Sequence, residues 1–449
     1  MRLRRFLCLI AGLPGVAAPA APPGAEALVL ITADQHSAYE RAAQLVATVD
    51  RLKTENPTLP LAILVDGDTM EFGNVVARRS AGAIDFALFS ALAERAPLVI
   101  NVGNHEPEFL DLPETIRRLQ ATGAVVISNI SDQATGRPFT AASTRLQLGR
   151  EEAVIVGVAT DHRATYRAAV RPSLDLAEPA GWARQHFPSL LARAPLPIVL
   201  SHAGLAADRA MLPLVPDGTL FAGAHDHLRF VLPRGRGAYV HSGSWNEFLT
   251  LAWLCRDAAG PARWVVEQQS VPIDGPADGP LRKIIRETEA KFLTPADTAV
   301  VGQSLAALAP AEAARFVAHA LREAAGADAA LIGNTTFGAG LPAGAVTQVE
   351  LDACVRFDGG VCVAEVTGAR LQQLLAAANQ GPDTPFAQRR GEFCHADGPA
   401  DVDPGKVYRI ATTDWGARNT ANYFGDPPIA WTELPGLKLK AAVLAALKR

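Results

Sequence analysis

Leu61-Ala62-Ile63-Leu64-Val65-Asp66-Gly67-Asp68 decides how this chain is read. An unbroken apolar run ending in acids and glycine predicts a strand buried on both faces of a parallel sheet, with polar residues at its carboxyl end. Three further blocks repeat the design. Asp34-Gln35-His36 follows Leu28 to Thr32, Gly103-Asn104-His105-Glu106 follows Pro97 to Val102, and Ser201-His202 follows Pro197 to Leu200. A fifth block, His225-Asp226-His227, stands downstream, so that five of the ten histidines fall in this series. Ligands of open α/β sheets gather just beyond the carboxyl ends of such strands.

The rest of the chain agrees with a globular, multidomain reading. Its 449 residues can bury two or three cores, and 49% apolar with 20% charged residues is ordinary globular composition. A formal charge of −4 gives no electrostatic reason to expect nucleic acid or a membrane surface as partner. Met1-Arg2-Leu3-Arg4-Arg5, apolar Phe6 to Ala18 and Ala18-Pro19-Ala20 have the basic, apolar and small-residue order of a secretory signal peptide. Cleavage is expected at Ala20, with Ala25-Glu26-Ala27 an alternative, giving a periplasmic or secreted protein without stable membrane insertion. Cleavage removes Cys8 and leaves Cys255, Cys354, Cys362 and Cys394, either as disulfides of unspecified pairing or as buried thiols.

Residues 28–268 alternate strand-like and helix-like stretches, which implies a parallel sheet covered by helices. From Thr144 onward the strands (Thr144 to Leu148, Ala153 to Val158, Tyr239 to Ser242, Phe248 to Cys255) look more antiparallel. The expectation is two mixed sheets face to face with the motif loops along one rim. A Pro/Gly/Asp-rich stretch, Asp274 to Pro280, marks a boundary, and 269–295 is a linker with a connecting helix from Leu281 to Phe292. A smaller α/β (α+β) region, 296–449, follows, ending in an amphipathic helix from Leu437 expected to pack on its own domain.

Carboxylates and imidazoles in this order suit zinc, manganese or iron. Asp34 and His36 can aim at one ion from a single loop, Asp68 can bridge two ions, and Asn104 offers an uncharged amide oxygen. His202, His225 and His227 complete seven ligands for two divalent ions about 3.5–4 Å apart. A lone DxH or HxH arises by chance; the ordered set predicts a metal site. Asp66, Glu106, Asp226 and His241 are read as loop or ligand-orienting residues, and His162, His186, His319 and His395 as structural.

This order resembles the calcineurin-like metallophosphoesterases, and the whole chain resembles their 5′-nucleotidase branch. The resemblance implies an α/β fold: a two-sheet βαβ metallophosphoesterase sandwich followed by a smaller 5′-nucleotidase-type C-terminal domain. It assigns Asp34, His36, Asp68 and His227 to one ion, and Asp68, Asn104, His202 and His225 to the other. It makes His105 the leaving-group acid or transition-state stabiliser, with water activated between the ions, and pairs His105 with Glu108, which stands where that branch has Asp.

The second half carries the resemblance through Ala327 to Asn334, Leu341 to Thr347, Cys354 to Phe357, Ala364 to Gly368 and Tyr408 to Asp414. In that family two aromatic rings clamp a nucleobase; Phe357 matches the first, and Tyr423 or Phe424 is a candidate for the second. The phosphate-gripping arginines are missing: Gly338 stands where one is expected, and none lies between Arg286 and Arg315. Arg356, Arg370, Arg409 and Arg418 are the candidates to compensate. The expected activity is hydrolysis of a small-molecule phosphomonoester, nucleotides first. The alternatives are a phosphodiesterase or thiosulfohydrolase-like enzyme and, from another class, a ligand-binding protein with structural metals.

Overall fold

The computed structural model describes residues 20–257 and 260–448; the expected leader, with Cys8, lies outside them except for Ala20. The first half is two six-stranded sheets packed face to face. Ala25–Ala33, Leu61–Asp66, Leu98–Asn101 and Val125–Ile127 pair in parallel, in that order. Phe248–Cys255 and Arg263–Ser270 extend the same sheet antiparallel on its other side.

The apolar runs behave as buried strands because alternate residues supply two different cores. Leu28 and Leu30 pack with Ile63 and Ile100 under outer-helix residues such as Val46, Val49, Phe89 and Leu119. Val29 and Ile31 face the second sheet, against Ile155, Ile198 and Leu200. With both faces dry, each large side chain is worth roughly 1.5–3 kcal/mol of burial, and no position in the run tolerates charge.

The second sheet runs Arg229–Arg234, Gly237–Ser242, Leu220–Gly223, Leu196–His202, Glu151–Ala159, Ser143–Leu148. The sheet is mixed, as expected, but less antiparallel than the strands from Thr144 onward had looked. Glu151–Ala159 pairs in parallel with Leu196–His202, and Leu220–Gly223 is parallel to both of its neighbours. Only the two edge strands are antiparallel. Periodicity reports how many faces a strand buries and says nothing of its neighbour's direction; Ala153 to Ala159, buried throughout, has the profile of a parallel strand. Phe248–Cys255 is antiparallel as expected.

The connecting helix spans Gly279–Phe292, and its Leu281 and Ile285 belong to the first sheet's core. Beyond it a five-stranded sheet runs Cys394–Asp397, Ala329–Gly333, Val407–Thr413, Gly360–Thr367, Thr432–Lys438, with helices on its two faces. The final helix, Leu439–Leu447, buries Leu439 and Val443 in that core. Cys255, Cys354, Cys362 and Cys394 are buried free thiols. Among the described residues no helix is long and apolar enough to cross a membrane.

The two halves are stitched together beside the motif loops. Phe386 and Phe393, from the second half, join the outer core of the first half's second sheet, with Phe230 and Tyr239. Arg209 donates to the carbonyls of Phe386 at 2.5 Å and Arg389 at 2.9 Å. The buried Arg389 lays its guanidinium over the Phe230 ring, 4.9 Å from its centre. Asn334 donates to the Asp226 carbonyl at 2.9 Å, inside the His225-Asp226-His227 block itself.

Candidate metal centre

All five motif blocks converge at the carboxyl ends of the strands. The backbone is bent to bring them there: Asp34, His36, Asp68, His225 and His227 all have positive φ, between 47° and 79°. Non-glycine residues are rarely held so, at roughly 1–3 kcal/mol each, and such strain gathers where surrounding structure fixes a functional geometry. Two glycines let the loops touch. A Cβ on Gly67 would stand 2.5 Å from His202 Nδ1, and one on Gly103 would stand 2.4 Å from Asp68 Oδ1.

Among the described residues three trios of donor atoms are each close enough to share one cation. Two are built from motif residues alone, Asp34, His36 and His227 the first and Asp68, His202 and His225 the second; in the third, Glu71 joins His36 and His105. His36 Nε2 and His227 Nε2 face each other at 2.9 Å, and His36 Nε2 is 3.9 Å from Asp68 Oδ2. On the other side His202 Nε2 is 3.0 Å from Asp68 Oδ2 and 3.9 Å from Asp34 Oδ1. Asp68 Oδ2 thus sits between the trios, the place of a bridging carboxylate.

The residues fit divalent ions on a test internal to the structure. Asn104 Oδ1 and His202 Nε2 are buried without a hydrogen-bond partner. Such atoms cost free energy unless something satisfies them. His202 Nδ1 meets the Asp66 carbonyl at 2.8 Å, which places the proton on Nδ1 and leaves Nε2 to coordinate. The charges agree. Burial, then His105, holds His36 well below its usual range; burial, then His36, does the same for His227; burial, then His202, brings His225 down to about 3. All three imidazoles are neutral ligands near pH 7. His202 differs: burial lowers it, but Asp68 and then Asp34 outweigh that and raise it.

The surrounding acids orient this shell. Glu106 accepts from the backbone N–H groups of Thr69 at 2.8 Å, Gly103 at 2.6 Å and Asp68 at 3.2 Å, tying two motif loops together. Asp68 Oδ1 accepts from His105 N at 2.7 Å, and both Asp34 oxygens accept from His225 N, at 3.1 and 3.2 Å. Asp226 accepts from Leu205 N at 2.5 Å. His241 is held with Tyr239 against Asp208, which in turn accepts from Ser201 beside His202.

His105 points Nδ1 at Glu108 Oε1, 2.8 Å away. Burial lowers its pKa, but Asp68, then the hydrogen bond and charge of Glu108, overturn that and leave it at about 10. It is an imidazolium at neutral pH, poised to give a proton. With Asp68 and Asn104 it lines a cavity of about 470 Å³ shared with the second half.

From that half Phe357 and Tyr423 line the cavity, as expected. Phe424 does not: it is 2% exposed in the core, 5.1 Å from the Trp431 ring. This corrects its candidacy, because neighbours on the short helix Thr420–Phe424 point to different sides. Trp415, at the start of the helix Asp414–Arg418, lines the cavity and is an aromatic the sequence reading missed.

Of the candidate arginines only Arg418 reaches the cavity, ion-paired to Asp414. Arg370 is spent on the carbonyls of Phe424 and Gly425 at 2.6 and 3.1 Å, and Arg409 is not among the lining residues. Arg356 is buried against Gly338, where a Cβ would lie 2.6 Å from its Nε, and its guanidinium covers Trp245 at 4.4 Å. Trp245, also missed, backs the His36 ring at 4.7 Å. Two cavity-lining arginines come from the first half: Arg167 and Arg171. Arg171 braces its own loop through the carbonyls of Tyr166 and Ala164, both at 2.6 Å.

Fold and site together define a two-sheet core that carries a candidate metal centre, with the second region completing the cavity beside it. Residues 296–393 match the 5′-nucleotidase, C-terminal domain family. No curated protein matches the chain in sequence. Among solved structures, a 5′-nucleotidase precursor from Thermus thermophilus aligns at 17% identity with TM-score 0.63, over 94% of this chain and 96% of that one. The sulfate thiohydrolase SoxB of Thermus thermophilus aligns at 15% and TM-score 0.65, over 95% and 94%. The 5′-nucleotidase of Candida albicans aligns at 14% and TM-score 0.61, over 95% and 98%. The chain has the two-domain fold of these structures, and residues 296–393 carry the match to the 5′-nucleotidase C-terminal domain.

Proposed function

We propose that this protein is an exported, dinuclear-metal phosphomonoesterase of 5′-nucleotidase type. The observation that carries the reading is one cavity lined by His36 and His227 of the first trio, Asp68 and His225 of the second, the pair His105–Glu108 and the aromatics Phe357, Trp415 and Tyr423. Asp34, His36, Asp68 and His227 would hold one divalent ion, and Asp68, Asn104, His202 and His225 the other; zinc, manganese and iron all suit these donors. The ions would supply Lewis-acid polarisation of a phosphoryl group and an activated water. His105, charged at neutral pH, stabilises the developing negative charge and hands its proton to the leaving oxygen, while Glu108 holds the ring. Phe357, Trp415 and Tyr423 offer flat faces to a base or another planar group.

Export rests on the order of residues 1–20. Cleavage after Ala20 spares the strand that begins at Ala25, opposite Cys255. A cut at 27 would remove Glu26, whose carboxylate pairs with Arg150 and Arg256.

The test is phosphate release by the purified mature protein with manganese or zinc, across nucleotides, sugar phosphates and p-nitrophenyl phosphate, with an Asn104→Ala, His105→Ala variant as blank. Metal-dependent release abolished in the blank supports the reading; none from any monoester sinks it. A thiosulfohydrolase-like activity is the second reading, favoured by the glycine at 338 with Arg356 committed to Trp245. Sulfate release from thiosulfate in the same panel decides it, and bis-p-nitrophenyl phosphate tests for a diesterase.

A further inference from the structure

Glu71 stands three residues beyond Asp68 and is fully buried. Its backbone N–H donates to Ser37 Oγ at 3.1 Å, and its Oε1 accepts from Gly73 N at 2.7 Å, so the residue is held at its backbone and at one carboxylate oxygen. The other oxygen, Oε2, lies 3.3 Å from His36 Nδ1 and 4.0 Å from His105 Nδ1. His36 Nδ1 and Glu71 Oε2 are both buried without a hydrogen-bond partner of their own, and they face each other. His105 Nδ1 is likewise without a hydrogen-bond partner, but its nearer acid is Glu108 at 2.8 Å, whereas Glu71 at 3.3 Å is the acid beside His36 Nδ1.

The geometry of the ring then decides which nitrogen does what. His36 Nε2 is the atom that faces His227 Nε2 and Asp68 Oδ2. A neutral imidazole has one N–H and one lone pair, so a ring that coordinates through Nε2 must carry its proton on Nδ1. Glu71 Oε2 is where that proton needs an acceptor. We propose that Glu71 is the positioning carboxylate of His36: it fixes the Nδ1–H tautomer and the ring plane, with Trp245 packed against the ring. Carboxylates placed behind a coordinating histidine in this way raise its basicity, and losing one typically weakens metal binding about 10- to 100-fold.

The inference rests on the dinuclear reading of the site. It is tested by calorimetric titration of the chelator-stripped protein with manganese, for wild type, Glu71→Gln and Glu71→Ala, alongside thermal unfolding of each metal-free protein. Glu71→Ala should weaken one of two binding steps by about 10- to 100-fold and leave the other within a few-fold. Glu71→Gln, whose amide oxygen can still accept from Nδ1, should recover much of the loss, and metal-free unfolding temperatures should not follow the affinities. Two unchanged steps in Glu71→Ala, or losses that track metal-free stability with no recovery in Glu71→Gln, would overturn the assignment. Fewer than two ions on the wild type would instead sink the underlying reading.

Discussion

His105 Nδ1 lies 2.8 Å from Glu108 Oε1, in a turn where the two residues are three apart. The extra methylene of Glu over Asp is absorbed by the short helical turn Glu106–Glu108, so the carboxylate still reaches the ring. Replacing His105 by Ala should lower kcat by about 10²- to 10⁴-fold, the usual span for a lost general acid. Glu108→Gln should act more gently and shift the pH profile. Its carboxylate helps hold His105 at about 10, so its loss brings the basic limb of kcat to lower pH. A basic limb that stays in place in Glu108→Gln would remove Glu108 from the account.

Asp226 gives a pH prediction for the metal-free protein. Burial first, helped by Glu392 and Asp208, raises it to about 7 from 3.8. Below pH 3.8 it is protonated folded and unfolded, and the folded form keeps its full advantage. Between about 4 and 7 the unfolded chain ionises while the folded one does not, so stability falls as pH rises and levels off above 7. Asp226→Asn should remove this slope. The variant should match wild type near pH 4 and exceed it by as much as a few kcal/mol at pH 8, read by urea unfolding after chelation.

The segment carrying Phe386 and Arg389 ties the second half to the first. Phe386→Ala removes a half-buried ring from the cluster with Phe230 and Tyr239 and should cost about 2 kcal/mol. The loss should fall on the contact between halves, seen as faster hydrogen exchange in residues 380–393 with little change in the sandwich. Unchanged exchange there would show that this contact does not hold the halves together.

Arg167 lines the cavity, and among the described residues its guanidinium has no hydrogen-bond or ion-pair partner. It is the guanidinium freest to grip an anionic substrate from the first half, where the resemblance expected the second half to do so. Arg167→Ala should raise KM for a phosphomonoester about 10-fold, in keeping with one charge-assisted hydrogen bond, with kcat within a few-fold. An unaltered KM would leave the phosphate to Arg418 and the ions.

Much of this was legible in the sequence because the ligands sit where buried strands end. Val29, Leu64 and Ile198 announce strands by lying in unbroken apolar runs, and the chain can place Asp34 and Asp68 only on the loops that follow and His202 only at its strand's last residue. Glu71, Trp245 and Arg167 carried no comparable signal. Each reaches the site through tertiary approach: Trp245 from a turn with positive φ ahead of Phe248–Cys255, Arg167 from an irregular loop. Between Tyr423 and Phe424 the sequence could not choose, because one residue along a helix turns a ring from cavity to core. The parallel pairing of the second sheet was hidden too, since neighbour direction leaves no mark on periodicity.

The central claim is that two ions, bridged by Asp68, make this site a phosphatase. It is tested most directly by adding manganese stepwise to the stripped protein while following hydrolysis of p-nitrophenyl phosphate. The account predicts that turnover reaches its plateau at two equivalents and that Asp68→Asn abolishes it. Full activity at one equivalent, or two ions bound with no turnover of any monoester, would contradict it.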